Sequence, residues 1–233
     1  MCTVTYLPRP NNGFILTHNR DEHFTRGIAQ WPALLSFSNQ MVLSPIDRNA
    51  GGTWITCSQN YTLCLLNGGF EKHVSQAPYR HSRGKIIVDF FNYVSVDDFL
   101  QSYNTNQLEP FTLIIVEHDS DHIKQCTFDG FQLHLKTLTK NQAYIWSSTT
   151  LYDEDSILRR KKQFEVFLQQ ENYTQEDIIA FHTNKHPSTD QEDILINRND
   201  ILKTVSLTSI EKSASISMTY FDFIQSKQLK LVL

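Results

Sequence analysis

Residues 1–22 read MCTVTYLPRPNNGFILTHNRDE, and the fold is decided here. The run from Cys2 to Leu7 is β-branched and aromatic, Asn11-Asn12-Gly13 is a turn signal, and Phe14 to Thr17 resumes a strand pattern, which predicts a β-hairpin. Facing residues in an antiparallel hairpin sum to a constant, about 23 to 25 for a loop inside Asn11 to Gly13. Cys2 is then expected opposite Asp21, Glu22 or His23. Pro8 and Pro10 donate nothing to a ladder, so loose pairing is expected beside the turn.

Cys2 directly follows Met1. Removal of the methionine would leave one residue carrying both a thiol and a free α-amino group, a nucleophile with its own base. Their reference pKa values, about 8.5 and about 8, both sit close to neutrality. A carboxylate such as Asp21 orients the amine, while the guanidinium of Arg20 favours the thiolate or grips an anionic substrate. Strand alternation sends Arg20 and Asp21 to opposite faces unless the strand ends or bulges, so at least one of them is expected to be structural. The plain alternative is a small buried cysteine starting an edge strand, beside a solvated charged turn.

Met1-Cys2 and Asn19-Arg20-Asp21-Glu22 together resemble the NRDE family, which includes the Transport and Golgi organisation 2 proteins. Gly51-Gly52-Thr53-Trp54, Asn67-Gly68-Gly69 and, more weakly, Trp146-Ser147-Ser148 also look like that family. The resemblance implies an α+β N-terminal nucleophile hydrolase fold of four αββα layers, two mainly antiparallel sheets between helices, distantly similar to the bile-salt and penicillin acylases. The resemblance leaves the reaction open. With Cys2 facing the acidic run, the leading expectation is hydrolysis of a small-molecule amide (C–N) bond, in which Cys2 attacks, Asp21 orients the amine, Arg20 assists, and Asn19, Trp54, Ser147 and Ser148 meet the substrate. The plain reading of Trp54 is an ordinary core aromatic. Asn67 matches an asparagine that supplies an oxyanion donor in those acylases. The plain reading of Asn67 is an asparagine chosen to tolerate the left-handed region of a turn. Where the acylases carry a further asparagine this chain has Ser147 or Ser148, and for their late arginine it offers Arg198 or Lys203, neither of which is assigned. By the same analogy the alternative is a non-enzymatic carrier of haem or a hydrophobic metabolite, with the cysteine and scattered histidines as axial ligands. No haem-attachment motif is present, and no other cofactor is expected.

With 233 residues, 40% of them apolar, the chain suffices for one domain over residues 1–233, and nothing in the sequence demands a second. A net charge of −4 with both signs interspersed argues against nucleic acid, and Arg159 to Lys162 reads as an exposed basic run on a helix. No apolar stretch reaches the eighteen or so residues of a membrane span, and Met1-Cys2 runs into a strand pattern where a signal sequence would need a charged and then an apolar segment. A cytoplasmic protein is expected, its four cysteines free thiols. A homo-oligomer is compatible with the sequence.

Further along, Trp31-Pro32 and Ser44-Pro45 are expected to break regular structure between short strands at Ala33 to Phe37 and Met41 to Leu43. Trp54 to Cys57 and Tyr61 to Leu66 read as a hairpin around Gln59-Asn60, the second strand covered on both faces. Helical spacing of Ile86, Ile87, Phe90 and Phe91 is followed by a start signal at Ser95 or Asp97. Phe111 to Glu117, Ile123 to Phe128, Phe131 to Leu138 and Ala143 to Ser147 read as one antiparallel meander. His118, His122 and His134 within it have no metal-site spacing and are expected to be surface or structural residues. Helices are predicted over Asp153 to Gln170 and Thr174 to Thr183, then a polar loop over His186 to Asp193. Strands over Asp200 to Thr208 and Ser213 to Phe223, and an edge strand over Gln228 to Leu233, close the chain.

Overall fold

The computed structural model describes residues 2–170, 172–184 and 194–233. The expected loop His186 to Asp193 and the state of Met1 lie outside them. The first strands, β1 (Cys2–Arg9) and β2 (Gly13–His23), form the predicted hairpin. Its turn is centred on Asn11 and Asn12, with φ of 57° and 55°, and closes through Gly13 N–H donating to Pro10 O at 3.1 Å. The loop therefore sits one residue earlier than the glycine suggested. Pairing continues through Pro8↔Phe14 to Arg9↔Gly13, and Cys2 faces Arg20 in place of the expected Asp21, Glu22 or His23.

Two compact units follow from the tertiary contacts: Gly27–Lys140, with the terminal Leu233, and Met1–Arg26 together with Asn141–Val232. In the 27–140 unit, β3 (Gln30–Phe37), β4 (Gln40–Ile46), β5 (Ile55–Cys57), β6 (Tyr61–Asn67), β7 (Phe111–Glu117), β8 (His122–Phe128) and β9 (Leu133–Thr139) form one antiparallel sheet in chain order. Pro32 and Pro45 lie inside strands and do not break them. β3 is an edge strand whose register shifts between Gln30 and Ala33, which leaves Pro32 without a ladder bond to make, and Pro45 lies beyond the single β4–β5 pair at Leu43.

Helices α1 (Lys85–Phe90) and α2 (Val96–Ser102) carry Ile86, Ile87, Phe90 and Phe99 onto Leu63, Leu65, Leu113, Ile115 and Phe128 of that sheet. Ser95 caps α2, its side chain accepting from Asp98 N. Each glycine of the pair Gly51-Gly52 meets a separate constraint. Gly51 has φ of +62°, and a Cβ on Gly52 would lie 2.4 Å from the carbonyl carbon of Gly84, so the segment ahead of β5 fits only if position 52 is bare.

In the other unit, β10 (Tyr144–Ser147) pairs with β1, not with β9 as the meander reading held. Alternation gives a strand its face but not its partner; Tyr144 and Trp146 come to lie opposite Tyr6 and Val4, with the Tyr6 and Tyr144 rings 6.2 Å apart. Next come α3 (Glu154–Phe167), α4 (Gln175–Thr183), β11 (Asn197–Arg198), β12 (Leu202–Lys212), β13 (Ile216–Asp222) and β14 (Lys227–Val232). The second sheet runs β10-β1-β2-β12-β13-β14, with β11 on β12 and β14 at the edge as expected.

Asp153 caps α3 through Ser156 N, and Thr174 with Asp177 forms a capping box on α4. Phe164 and Ile178 of these helices pack on Leu7 and Ile15 of the hairpin, with Ile145, Phe167 and Phe181 around them. The described chain is thus α+β, with two seven-stranded antiparallel sheets and four helices.

Candidate active site

The pleat of β2 fixes the site. Asn19 and Asp21 point to the face of the sheet that carries α3 and α4, while His18 and Arg20 point to the other. Cys2, opposite Arg20, shares the latter face. It is 3% exposed, and burial pushes its thiol up from the ordinary value, with the carboxylates of Asp21 and Glu22 adding to the rise. Arg20, itself buried, has Glu22 Oε1 3.7 Å from its Nη2.

Asp21 is fully buried and held from two sides. Tyr152 Oη donates to Oδ2 at 2.5 Å and Thr204 Oγ1 donates to Oδ1 at 2.7 Å. A register shift between Thr204 and Ser206 of β12 brings that threonine opposite Asp21. Burial raises the Asp21 carboxyl, and the two hydroxyl donors and the nearby Arg160 oppose the rise. Arg160 stacks on the Tyr152 ring at 3.5 Å from its centroid, and Arg198 stands 5.8 Å from the same ring.

Arg160 corrects the reading of Arg159 to Lys162 as an exposed run. It is 1% exposed, in the buried stripe Ser156, Arg160, Phe164 that four-residue spacing draws along α3. Sequence reasoning missed Tyr152, Arg160 and Thr204. The i, i+4 stripe was the available signal for Arg160; none marked Thr204, since its role needs a bulge.

The remaining candidates are placed as follows. Asn19 donates its amide to the carbonyls of His182 and Ile194, both at 2.9 Å, tying β2 to the chain on either side of residues 185–193. Ser147 pairs with Thr3, and Ser148 N–H donates to Cys2 O at 2.9 Å, so the serines extend the ladder on which Cys2 sits. Lys203 lies opposite Glu22. Asn67 and Trp54 belong to the 27–140 unit. Asn67 ends β6 opposite Phe111, and the positive φ of 97° falls on Gly68, so Asn67 is not there to adopt a left-handed backbone. Trp54 is buried just before β5.

His118 is structural, its ring bonded to Thr62 Oγ1 at 3.0 Å and Gln59 O at 2.8 Å. His134 pairs with Asp129 and His122 is exposed. Among the described residues no three His, Cys, Asp or Glu side chains gather as a metal site, and no helix is long and apolar enough to cross a membrane.

A start-proximal cysteine is thus backbone-paired with the Asn-Arg-Asp-Glu strand, and the model of one family, Transport and Golgi organisation 2, matches residues 1–226. The chain belongs to that family. The match covers nearly the whole chain and includes residues of both units. A search of curated proteins gave no match.

Proposed function

We propose that this member of the family is a cysteine N-terminal nucleophile hydrolase that cleaves the amide bond of a small molecule, Cys2 becoming the terminal residue once Met1 is removed. The observation that carries this reading is the buried Asp21 carboxylate. It lies one residue along β2 from the partner of Cys2, acts electrostatically on the Cys2 thiol, and is oriented by two hydroxyl donors. Burial holds the thiol protonated, so attack requires a base. The freed α-amine supplies one, and the ammonium it becomes is the cation that a buried carboxylate favours.

Intact mass with an acyl probe tests this. The mature protein is expected to lack Met1 and to take up one acyl group from 4-nitrophenyl acetate on Cys2, with Cys2→Ala abolishing the uptake. A mature chain that retains Met1, or labelling unchanged in Cys2→Ala, refutes the reading.

A further inference from the structure

His18 is the least explained polar residue of the unit that holds the β1–β2 hairpin. It sits mid-strand in β2, directly opposite Val4 of β1 and Thr208 of β12, and its side chain is fully buried. Neither ring nitrogen has a hydrogen-bond partner among the described residues, and the Thr208 hydroxyl across from it has none either. The other buried histidines differ: His118 uses both nitrogens, and His182 Nε2 meets Thr5 Oγ1 at 2.7 Å. Buried imidazoles are normally satisfied, and one left with two open positions calls for an explanation, a catalytic role among them.

The register says what lies beside it. Cys2 faces Arg20, and His18 is two residues from Arg20 on the same strand, so His18 is the diagonal neighbour of Cys2 on one face of the sheet. Such neighbours have Cβ atoms about 7–8 Å apart or somewhat less, a gap that an imidazole on one side and a group bonded to the sulfur on the other together span. Burial, with Arg20 adding to it, holds the ring well below its ordinary pKa and therefore neutral, with one N–H and one bare nitrogen.

We propose that His18 is a catalytic residue in contact with the substrate, its neutral imidazole N–H donating a hydrogen bond to the carbonyl oxygen of the acyl group that Cys2 attacks. This deepens the hydrolase reading and rests on it. In the step concerned, the sulfur lone pair forms the S–C bond, the carbonyl π pair moves onto oxygen, and the thiol proton passes to the α-amine of Cys2. The His18 N–H stabilises the oxyanion without giving up its proton. As the oxyanion collapses, the C–N bond breaks and the leaving amine takes the proton from the ammonium. Water then releases the acyl group from the sulfur.

Two reagents separate this role from others. 4-Nitrophenyl acetate acylates sulfur through an oxyanion, whereas iodoacetamide alkylates it by displacing iodide at a CH₂ carbon, with no oxyanion. In mature full-length protein, His18→Ala is expected to slow acylation of Cys2 by about 10²- to 10³-fold, the usual effect of removing one oxyanion donor. Alkylation should stay within about 3-fold, and His18→Gln, which keeps an N–H donor, should recover part of the acylation rate. Equal losses in both reactions, or no loss in either, overturn the proposal while leaving Cys2 as nucleophile. Should His18→Ala fail to fold, His18→Gln against His18→Leu decides it by the same ratio. Wild-type protein that is alkylated but never acylated overturns the hydrolase reading and this proposal with it.

Discussion

Replacing Tyr152 by Phe removes a single hydroxyl and keeps the ring on which Arg160 stacks. The lost bond is a 2.5 Å donation to a buried carboxylate, a class worth about 1.5–3 kcal/mol. We expect a loss of about 2 kcal/mol once Asp21 is ionised, or roughly 4–8 °C in Tm for a chain of this size.

The pH dependence carries the sign. Burial raises the folded Asp21 carboxyl above its unfolded value, so ionising it costs stability as pH climbs from the unfolded value to the folded one. Tyr152 stabilises the ionised form and offsets part of that cost. Without it the folded value rises further, and the gap between variant and wild type is complete only above that new value. Acidification should shrink the gap, because a neutral carboxyl loses less when the donor goes; His18 and His182 are common to both proteins and cancel in the difference.

Urea unfolding of both proteins across a series of pH values measures this. Thr204→Val should lose less when combined with Tyr152→Phe than alone, since the two hydroxyls serve one carboxylate. A loss under about 0.5 kcal/mol at every pH, or one that does not shrink on acidification, would refute this account of Asp21.

His182 is held down to about 3 by burial, so between that value and about 6.5 the unfolded chain takes up a proton the fold refuses. Stability is therefore full above about pH 6.5 and falls on acidification by up to about 1.4 kcal/mol per pH unit, and His182→Gln should flatten that slope in urea melts at about pH 7 and 5. Arg160→Ala strips a buried guanidinium from Tyr152 and Asp21 and should cost about 3 kcal/mol, against under about 0.5 kcal/mol for exposed Lys161→Ala; equal effects in thermal melts would return Arg160 to the surface. Gly52→Ala forces a Cβ against the Gly84 backbone and should cost about 1–3 kcal/mol, while Gly27→Ala, whose nearest neighbour is the Asn49 side chain at 3.4 Å, should be neutral within about 0.5 kcal/mol by the same melts.

Most elements were legible because their signals are local. β7 spans Phe111–Glu117 as its apolar run predicts, Ser95 and Thr174 mark helix starts through their own hydroxyls, and β6 is buried on both faces as an uninterrupted apolar strand should be. Partners were less legible. β10 has the alternation of a fourth meander strand, yet it lies against β1, because period two is blind to which edge completes the ladder.

The candidate site divides in the same way. The sequence alone determined that a cysteine and an Asn-Arg-Asp-Glu strand end share a hairpin, since turn residues and β-branched runs act over a few positions. The tertiary structure decided which of those residues face which. A turn set one residue earlier moved Arg20 opposite Cys2, a bulge in a strand some 180 residues away delivered Thr204 to Asp21, and a helix face buried an arginine that its charged neighbours disguised. Pleat turns a one-residue shift into a change of face, so side-chain partnerships are settled only when all the strands have docked.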